Sequence, residues 1–224
     1  MPVSYACRNN FLEIFQALDF MVLQGITGAA VHKNAHSMCN GANLAYSRKA
    51  FDTVNGFKGI SDIASGDDML LMHKIYKQYP GKIKYLKSTD IIVHTEPMHS
   101  WKDFFYQRIR WASKADKYDD KRIFAILLLV YLFNLVLLII PLTTIFFNPA
   151  FFIFYFSLFT FWVLLLILKT MVELFFLYPV AVFFSKEKLL WLFPIAQPFH
   201  ILYTVIAGWL GKFGTYQWKE RKVK

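Results

Sequence analysis

From residue 123 to residue 147 the chain runs 25 positions without a charged side chain. No other feature restricts its possible folds as much. The hydrocarbon core of a bilayer is about 30 Å thick, and about 20 apolar residues cross it as a helix. Inside hydrocarbon every backbone N–H and C=O needs an internal partner, which a helix supplies. The run therefore predicts a membrane-spanning helix, with Asn134 and Pro141 tolerated inside a bundle. Asn148-Pro149 makes a tight turn, and residues 150–168 predict a second span ended by Lys169.

Past Lys169 the apolar pattern is interrupted. Glu173 is followed by only 12 uncharged residues, so residues 171–185 predict an interfacial segment or short span. Residues 189–211 carry no Asp, Glu, Lys or Arg, but Pro194, Gln197, Pro198 and His200 interrupt the run. A re-entrant or broken helix suits them, because the groups they leave unpaired need protein cover. Residues 219–224 form a basic tail. Keeping the N-terminal part, Lys169, Lys186, Lys188 and the tail on the cytoplasmic side takes an even number of crossings, two or, as the alternative, four. Residues 1–10 lack the apolar region of a secretory signal, so insertion rests on these later spans.

Charge divides the chain near Arg122. Residues 1–122 hold 17 Lys/Arg and 12 Asp/Glu, whereas residues 123–224 hold 8 and 3. An apolar fraction of 56% and a mean hydropathy of +0.37 exceed what an ordinary soluble domain shows. The net charge of +10 does not point to nucleic acid, since the basic residues flank apolar spans. Anionic lipid headgroups or a nucleotide diphosphate are the expected partners. Cys7 and Cys39 show neither metal-binding spacing nor a disulfide framework, which suits a reducing cytosolic setting. The six histidines share no face at ligand spacing, and no metal site is expected among these residues.

The first 122 residues alternate helix and strand patterns. Residues 1–5 are extended, 11–23 helical by their apolar period, and 25–37 a loop. The small-residue run 38–46 predicts a strand, 48–54 a short helix closed by Asn55-Gly56, and 68–79 a helix stopped by Pro80-Gly81. Residues 83–86 and 91–94 predict strands, and 101–118 an aromatic helix lying just before the membrane.

Two groups in this part have chemical potential. In Ser65-Gly66-Asp67-Asp68, Ser65 can cap a helix and Asp68 can complete something close to a capping box. The same placement holds a carboxylate rigidly enough to act as a general base. In Gln107-Arg108-Ile109-Arg110-Trp111, helical spacing puts Gln107, Arg110 and Trp111 on one face and Arg108 off it. An aromatic belt at the headgroups accounts for such a helix equally well. A third stretch, Cys39 to Tyr46 with Asn40 and Asn43, suits a buried strand whose small residues pack closely.

An acidic pair, then Gln-Arg-x-Arg-Trp, then membrane spans is the order in membrane-bound family 2 glycosyltransferases, and this chain resembles the C-terminal part of one. The resemblance implies an α/β fold: a partial GT-A domain over residues 1–122, followed by an α-helical membrane domain over 123–224. It implies an inverting enzyme on the cytoplasmic face, moving a sugar from a nucleotide-sugar donor to a lipid-linked or polysaccharide acceptor. By this resemblance Asp68, in the pair with Asp67, is the base. Trp111 stacks on the acceptor, Asn40 and Asn43 lie on the acceptor side, and Gln107, Arg108 and Arg110 meet the diphosphate. The family more often has Glu-Asp, so Asp67 departs from the pattern. The family's Asp-x-Asp, which holds Mg or Mn, does not occur in this sequence. A nucleotide-binding half at about 30 residues per βαβ unit needs roughly 100 more residues. The chain alone is accordingly expected to be inactive, and its cut sheet to leave an unpaired edge. A non-enzymatic membrane scaffold or pseudoenzyme subunit is the alternative.

Overall fold

A polar cap begins the first long helix. Asn10 accepts from the Glu13 N–H through its side chain, and the Glu13 carboxylate accepts from the Arg8 N–H, so two otherwise orphan donors are satisfied. In the computed structural model, which describes residues 1–8, 10–34, 38–60, 66–114, 121–143, 152–218 and 221–223, this helix, α1, runs Phe11–His32. The loop expected from Gly25 is thus helical as far as His32. A helix tolerates isolated glycines at modest cost, and a Cβ added at Gly28 would meet the Tyr85 ring at 3.6 Å. Burial there pushes the Tyr85 phenol up to about 12.

The chain forms two units. The first comprises Met1–Ser100 with Leu177–Lys188. Its strand β1 (Val3–Tyr5) pairs in parallel with β2 (Val93–Thr95), Val3 opposite Val93. Two amides of α1 fasten this sheet. Gln24 Oε1 accepts from the Val3 N–H at 3.1 Å, and the Gln16 amide exchanges two hydrogen bonds of 2.9 Å with the Met98 backbone. Lys186 Nζ donates to the Tyr5 carbonyl. Val3, Tyr5, Phe15, Leu18, Phe20 and Met21 form the buried core.

Helix α2 (Arg48–Thr53) is capped by Ser47, and Asn55 and Gly56 turn the chain with positive φ. Helix α3 covers Asp67–Gln78. Its Lys74 Nζ donates to the carbonyls of Gly56 and Lys58. Two expected strands are absent. Within residues 38–46 the structure has a 3₁₀ turn at Gly41–Asn43, because the two flanking asparagines bond to backbone and replace a ladder. Residues 83–86 have no strand partner, and an unpaired strand has no stability of its own. Among the described residues the sheets are this parallel pair and an antiparallel pair, β3 (Tyr216–Trp218) with β4 (Arg221–Val223). The fold is mostly helical, and the α/β sheet of a GT-A domain is not seen.

The second unit comprises Trp101–Phe176 and Leu189–Lys224. Its helices are α4 (Trp101–Ala112), α5 (Lys121–Leu142), the part of α6 (Phe152–Phe183) up to Phe176, and α7 (Phe193–Phe213). Helix α4 thus groups with the apolar helices and not with residues 1–100. Its expected extension over 115–118 lies outside the described residues, as do residues 144–147 of the first span, the Asn148-Pro149 turn and residues 150–151 of the second.

Helix α6 overruns the expected segment ends. It is a single helix of 32 residues, about 48 Å long at 1.5 Å per residue. Lys169 does not end it, and residues 171–185 are not a separate interfacial piece. The charge is no stop signal because Lys169 and Glu173, one turn apart, neutralise each other at 2.8 Å. Residues 189–211 are not broken either. A 3₁₀ turn (Glu187–Leu192) leads into a continuous α7. Pro194 falls in the first turn, where its missing N–H has no intrahelical acceptor, and Pro198 removes one bond more.

Four helical stretches are long and apolar enough to cross a membrane: Phe11–His32, Lys121–Leu142, Ile153–Phe183 and Glu187–Phe213. They are consistent with an integral membrane protein. They differ in cover, since 56% of the α1 window is buried against 11% for α5 and for α6. Leu129, Ile153 and Phe175 are all at least 70% exposed, a surface that suits hydrocarbon and not water.

A ridge on α7 carries α4. Phe199, Tyr203, Ala207 and Gly211 recur every four residues, and they meet Trp101, Phe104, Ile109 and Ala112 in the same order. The ridge shrinks from Phe to Gly, so the two helices close up toward their C-termini. At Gly211 an added Cβ would stand 2.8 Å from the Ala112 Cβ and 2.9 Å from the Ser113 nitrogen.

Candidate functional site

The acidic pair sits at the start of α3. Ser65, the expected cap, lies outside the described residues. Gly66 occupies the cap position with φ +87° and no side-chain cap bond, a conformation glycine adopts without strain. Asp67 is exposed and Asp68 half-buried. Asp68 Oδ1 accepts from the Met69 N–H at 2.8 Å, and Oδ2 accepts from the Gly41 N–H at 2.7 Å. The carboxylate is therefore held by one donor of its own helix and one from the 3₁₀ turn. A Cβ at position 41 would stand 3.0 Å from Asp68 Oδ2, so glycine is what lets the turn approach.

Asn40 and Asn43 shape that turn. Asn40 Oδ1 accepts from the Ala42 N–H at 3.0 Å. Asn43 Nδ2 donates to the carbonyls of Pro2 and Ile91, both at 2.8 Å, which ties the turn to the start of β1 and the approach to β2. Both asparagines were expected on the acceptor side, and the observed bonds give them a backbone-holding job. Gly41, which touches Asp68 directly, was missed. The signal for it was a glycine between two asparagines, a turn sequence.

Helix α4 carries the other residues. Arg108 is buried, 4% exposed. Its guanidinium lies 4.3 Å from the Trp111 ring centre and 4.8 Å from that of Phe104, and its Nη1 donates to Gln107 Oε1 at 2.8 Å. Helical spacing set Arg108 apart from Gln107 and Trp111, yet the structure joins all three. The reason is spacing counted from Arg108 itself: Phe104 stands four residues before it and Trp111 three after, so both rings flank the guanidinium on the helix surface. Arg110 and Trp111 are half-buried, and Arg110 offers its carbonyl to the Ser113 hydroxyl at 2.9 Å. The arrangement presents a planar cation stacked on an indole, with Arg110 beside it. Cations so fixed suit phosphate oxygens, and the indole suits a sugar face.

A cleft of about 530 Å³ runs along α2 and α3, lined by Tyr46, Lys49, Met72, Tyr79, Lys82 and neighbours. The end of the stretch singled out in the sequence, Leu44 to Tyr46, lines it, whereas Asn40, Asn43, the acidic pair and Gln107 to Trp111 do not. Among the described residues no group of three His, Cys, Asp or Glu could hold a metal ion.

A family model described as Glycosyl transferase family group 2 matches residues 1–177. The match takes in the acidic pair, the 3₁₀ turn and all of α4. No curated protein and no solved structure matches the chain.

Proposed function

Because the chain belongs to family group 2 of the glycosyl transferases, we propose that it takes part in inverting transfer of a sugar from a nucleotide donor to a lipid-linked or polysaccharide acceptor at the membrane. The observation that carries the reading is the carboxylate of Asp68, held at a helix start by the Gly41 and Met69 N–H groups. A carboxylate so fixed can take the proton of an acceptor hydroxyl. The acceptor oxygen then attacks the anomeric carbon from the face opposite the diphosphate. The new C–O bond forms as the bond to the phosphate oxygen breaks, and the configuration inverts. Asp67 lies beside the base, exposed to solvent.

The diphosphate leaves with negative charge. Arg110 is the first contact in this reading. Arg108 combines a share of that charge with holding Trp111 in place, and Gln107 orients Arg108. Trp111 provides the acceptor platform. Asn40 and Asn43 support the reaction through the turn that presents Gly41. Mg or Mn would serve the diphosphate of the donor. The described residues form no ligand set for it, and no step here runs through a metal. The excess of Lys and Arg flanking the apolar helices supports a cytoplasmic catalytic side among anionic lipids.

The test is Asp68→Asn in the protein in its native membranes. Loss of a general base lowers turnover about 10²- to 10⁴-fold, with donor binding retained. Near-normal turnover would overturn the assignment, and donor binding without turnover in the parent would favour the pseudoenzyme.

A further inference from the structure

Three polar side chains meet among the apolar helices of the second unit. Lys169 Nζ stands 2.8 Å from both carboxylate oxygens of Glu173, one turn along α6. It also donates to Gln197 Oε1 on α7 at 2.5 Å. Gln197 Nε2 completes the triangle by donating to Glu173 Oε2 at 2.7 Å. Each member thus bonds to both others. Lys169 and Gln197 are 7% and 2% exposed. None of the three has a part in the chemistry proposed above.

Apolar residues of similar volume could hold α6 and α7 together at least as well, because a buried ion pair barely offsets the cost of desolvating it. A closed polar triangle adds register. Surfaces of Phe, Leu, Ile and Val pack acceptably at several offsets, whereas the triangle closes at one. A slide of one residue, about 1.5 Å, would leave a charge or an amide unpaired in apolar surroundings. Register then passes onward. Helix α7 carries α4 on its ridge from Phe199 to Gly211, and α4 carries Gln107 to Trp111.

We infer that Lys169, Glu173 and Gln197 are positioning residues: they fix the register of α7 on α6, and through α7 the placement of the Gln107–Trp111 segment. The consequence for turnover rests on the proposed transfer, whereas the geometry does not.

The experiment uses the full chain in lipid nanodiscs, with Cys7 and Cys39 replaced by Ser. Spin labels go on Phe175→Cys and Ile195→Cys, two exposed positions. The parent should give one narrow distance distribution. In K169M/E173L/Q197L no polar group is stranded, so the protein should insert and melt like the parent. Its distance distribution should nevertheless broaden or split. Its kcat should fall about 10- to 100-fold, the effect of misplacing a catalytic segment by an ångström or so, and KM for the nucleotide sugar should rise with it, because the same segment meets the diphosphate in the proposed reading. Exchanging the charges, K169E with E173K, should restore the narrow distribution, because the Gln197 amide can turn over and serve either order. Each reversal alone should not. A triple variant that keeps the narrow distribution, or an exchange no better than the single reversals, would overturn the inference. If the triple variant does not insert, the charge exchange decides. If the distances behave as expected but the parent transfers no sugar, the register assignment stands and the proposed function falls.

Discussion

Asn43 illustrates how a residue can be noticed for one reason and matter for another. Its Nδ2 donates to two backbone carbonyls, of Pro2 and Ile91, that are distant in sequence. Asn43→Leu leaves both carbonyls short of a donor, which should destabilise the protein by about 1–3 kcal/mol. Denaturant unfolding of the purified protein would show it. Asn43→Asp removes the same donors and should cost at least as much, a result an acceptor-contact role alone would not give. At Arg108 the chemistry lies in the plane of the guanidinium, clasped between Phe104 and Trp111. Arg108→Lys keeps the charge and loses the stacking, worth about 1–2 kcal/mol when desolvated. Turnover should fall by about tenfold for that loss of Trp111 placement. Steady-state kinetics on the lysine variant would check it, and parent-like kcat would mean that Arg108 acts only as a charge. The Gln-Arg-x-Arg-Trp run was legible in the sequence because its residue types are rare together. The stack was open to the same spacing rule, since Phe104 and Trp111 lie four residues before and three after Arg108, but counting from Gln107 alone leaves Arg108 off the face.

At the level of elements, the apolar helices were legible and their ends were not. Residues 123–142 announce a helix by composition alone. A rule that treats charge as a boundary cuts helix α6 in two, whereas Glu173 neutralises Lys169 and Gln197 accepts a further hydrogen bond from it. The strand expected over 38–46 failed for a related reason, because asparagine side chains supplied the bonds that a neighbouring strand would have made. The α7 ridge supports a prediction that separates two glycines. At Gly211 the obstacle to a Cβ includes the Ser113 backbone nitrogen at 2.9 Å, and at Gly208 it is the ring edge of Tyr131 at 2.7 Å. A side chain can turn aside more readily than a helix can move. Gly211→Ala should therefore cost about 1–3 kcal/mol by overpacking and lower turnover by lifting α4. Gly208→Ala should cost clearly less. Thermal melts of both variants in the same detergent would rank them, and the reverse order would mean that the α4–α7 approach is not the tight one.

For the whole molecule, composition told which half is membrane-like but not which helices meet lipid. Hydropathy alone admits α1 to the set of possible spans, since Phe11–His32 is long and apolar enough. Burial argues otherwise. Phe15, Leu18 and Met21 are at most 2% exposed within the first unit, while Leu129 and Ile153 stand bare at 70% and 79%. Helix α1 also carries Glu13, Gln16, Asp19 and Gln24 as buried polar groups. Two of these, Gln16 and Gln24, bond to the backbone of the β1–β2 region, a task for a helix packed in protein. A charged side chain facing lipid at the bilayer centre costs about 2.5–3.5 kcal/mol even on insertion scales. Helix α1 is therefore expected to stay out of the membrane, although its length and hydropathy match those of a span. Photolabelling from within the bilayer, with an apolar diazirine and the protein in its own membrane, separates the two cases. Peptides from 121–142 and 153–183 should take up label heavily, and the peptide holding 11–32 should take up little. Comparable labelling of all three would put α1 in the bilayer and require its polar face to be covered there by other protein.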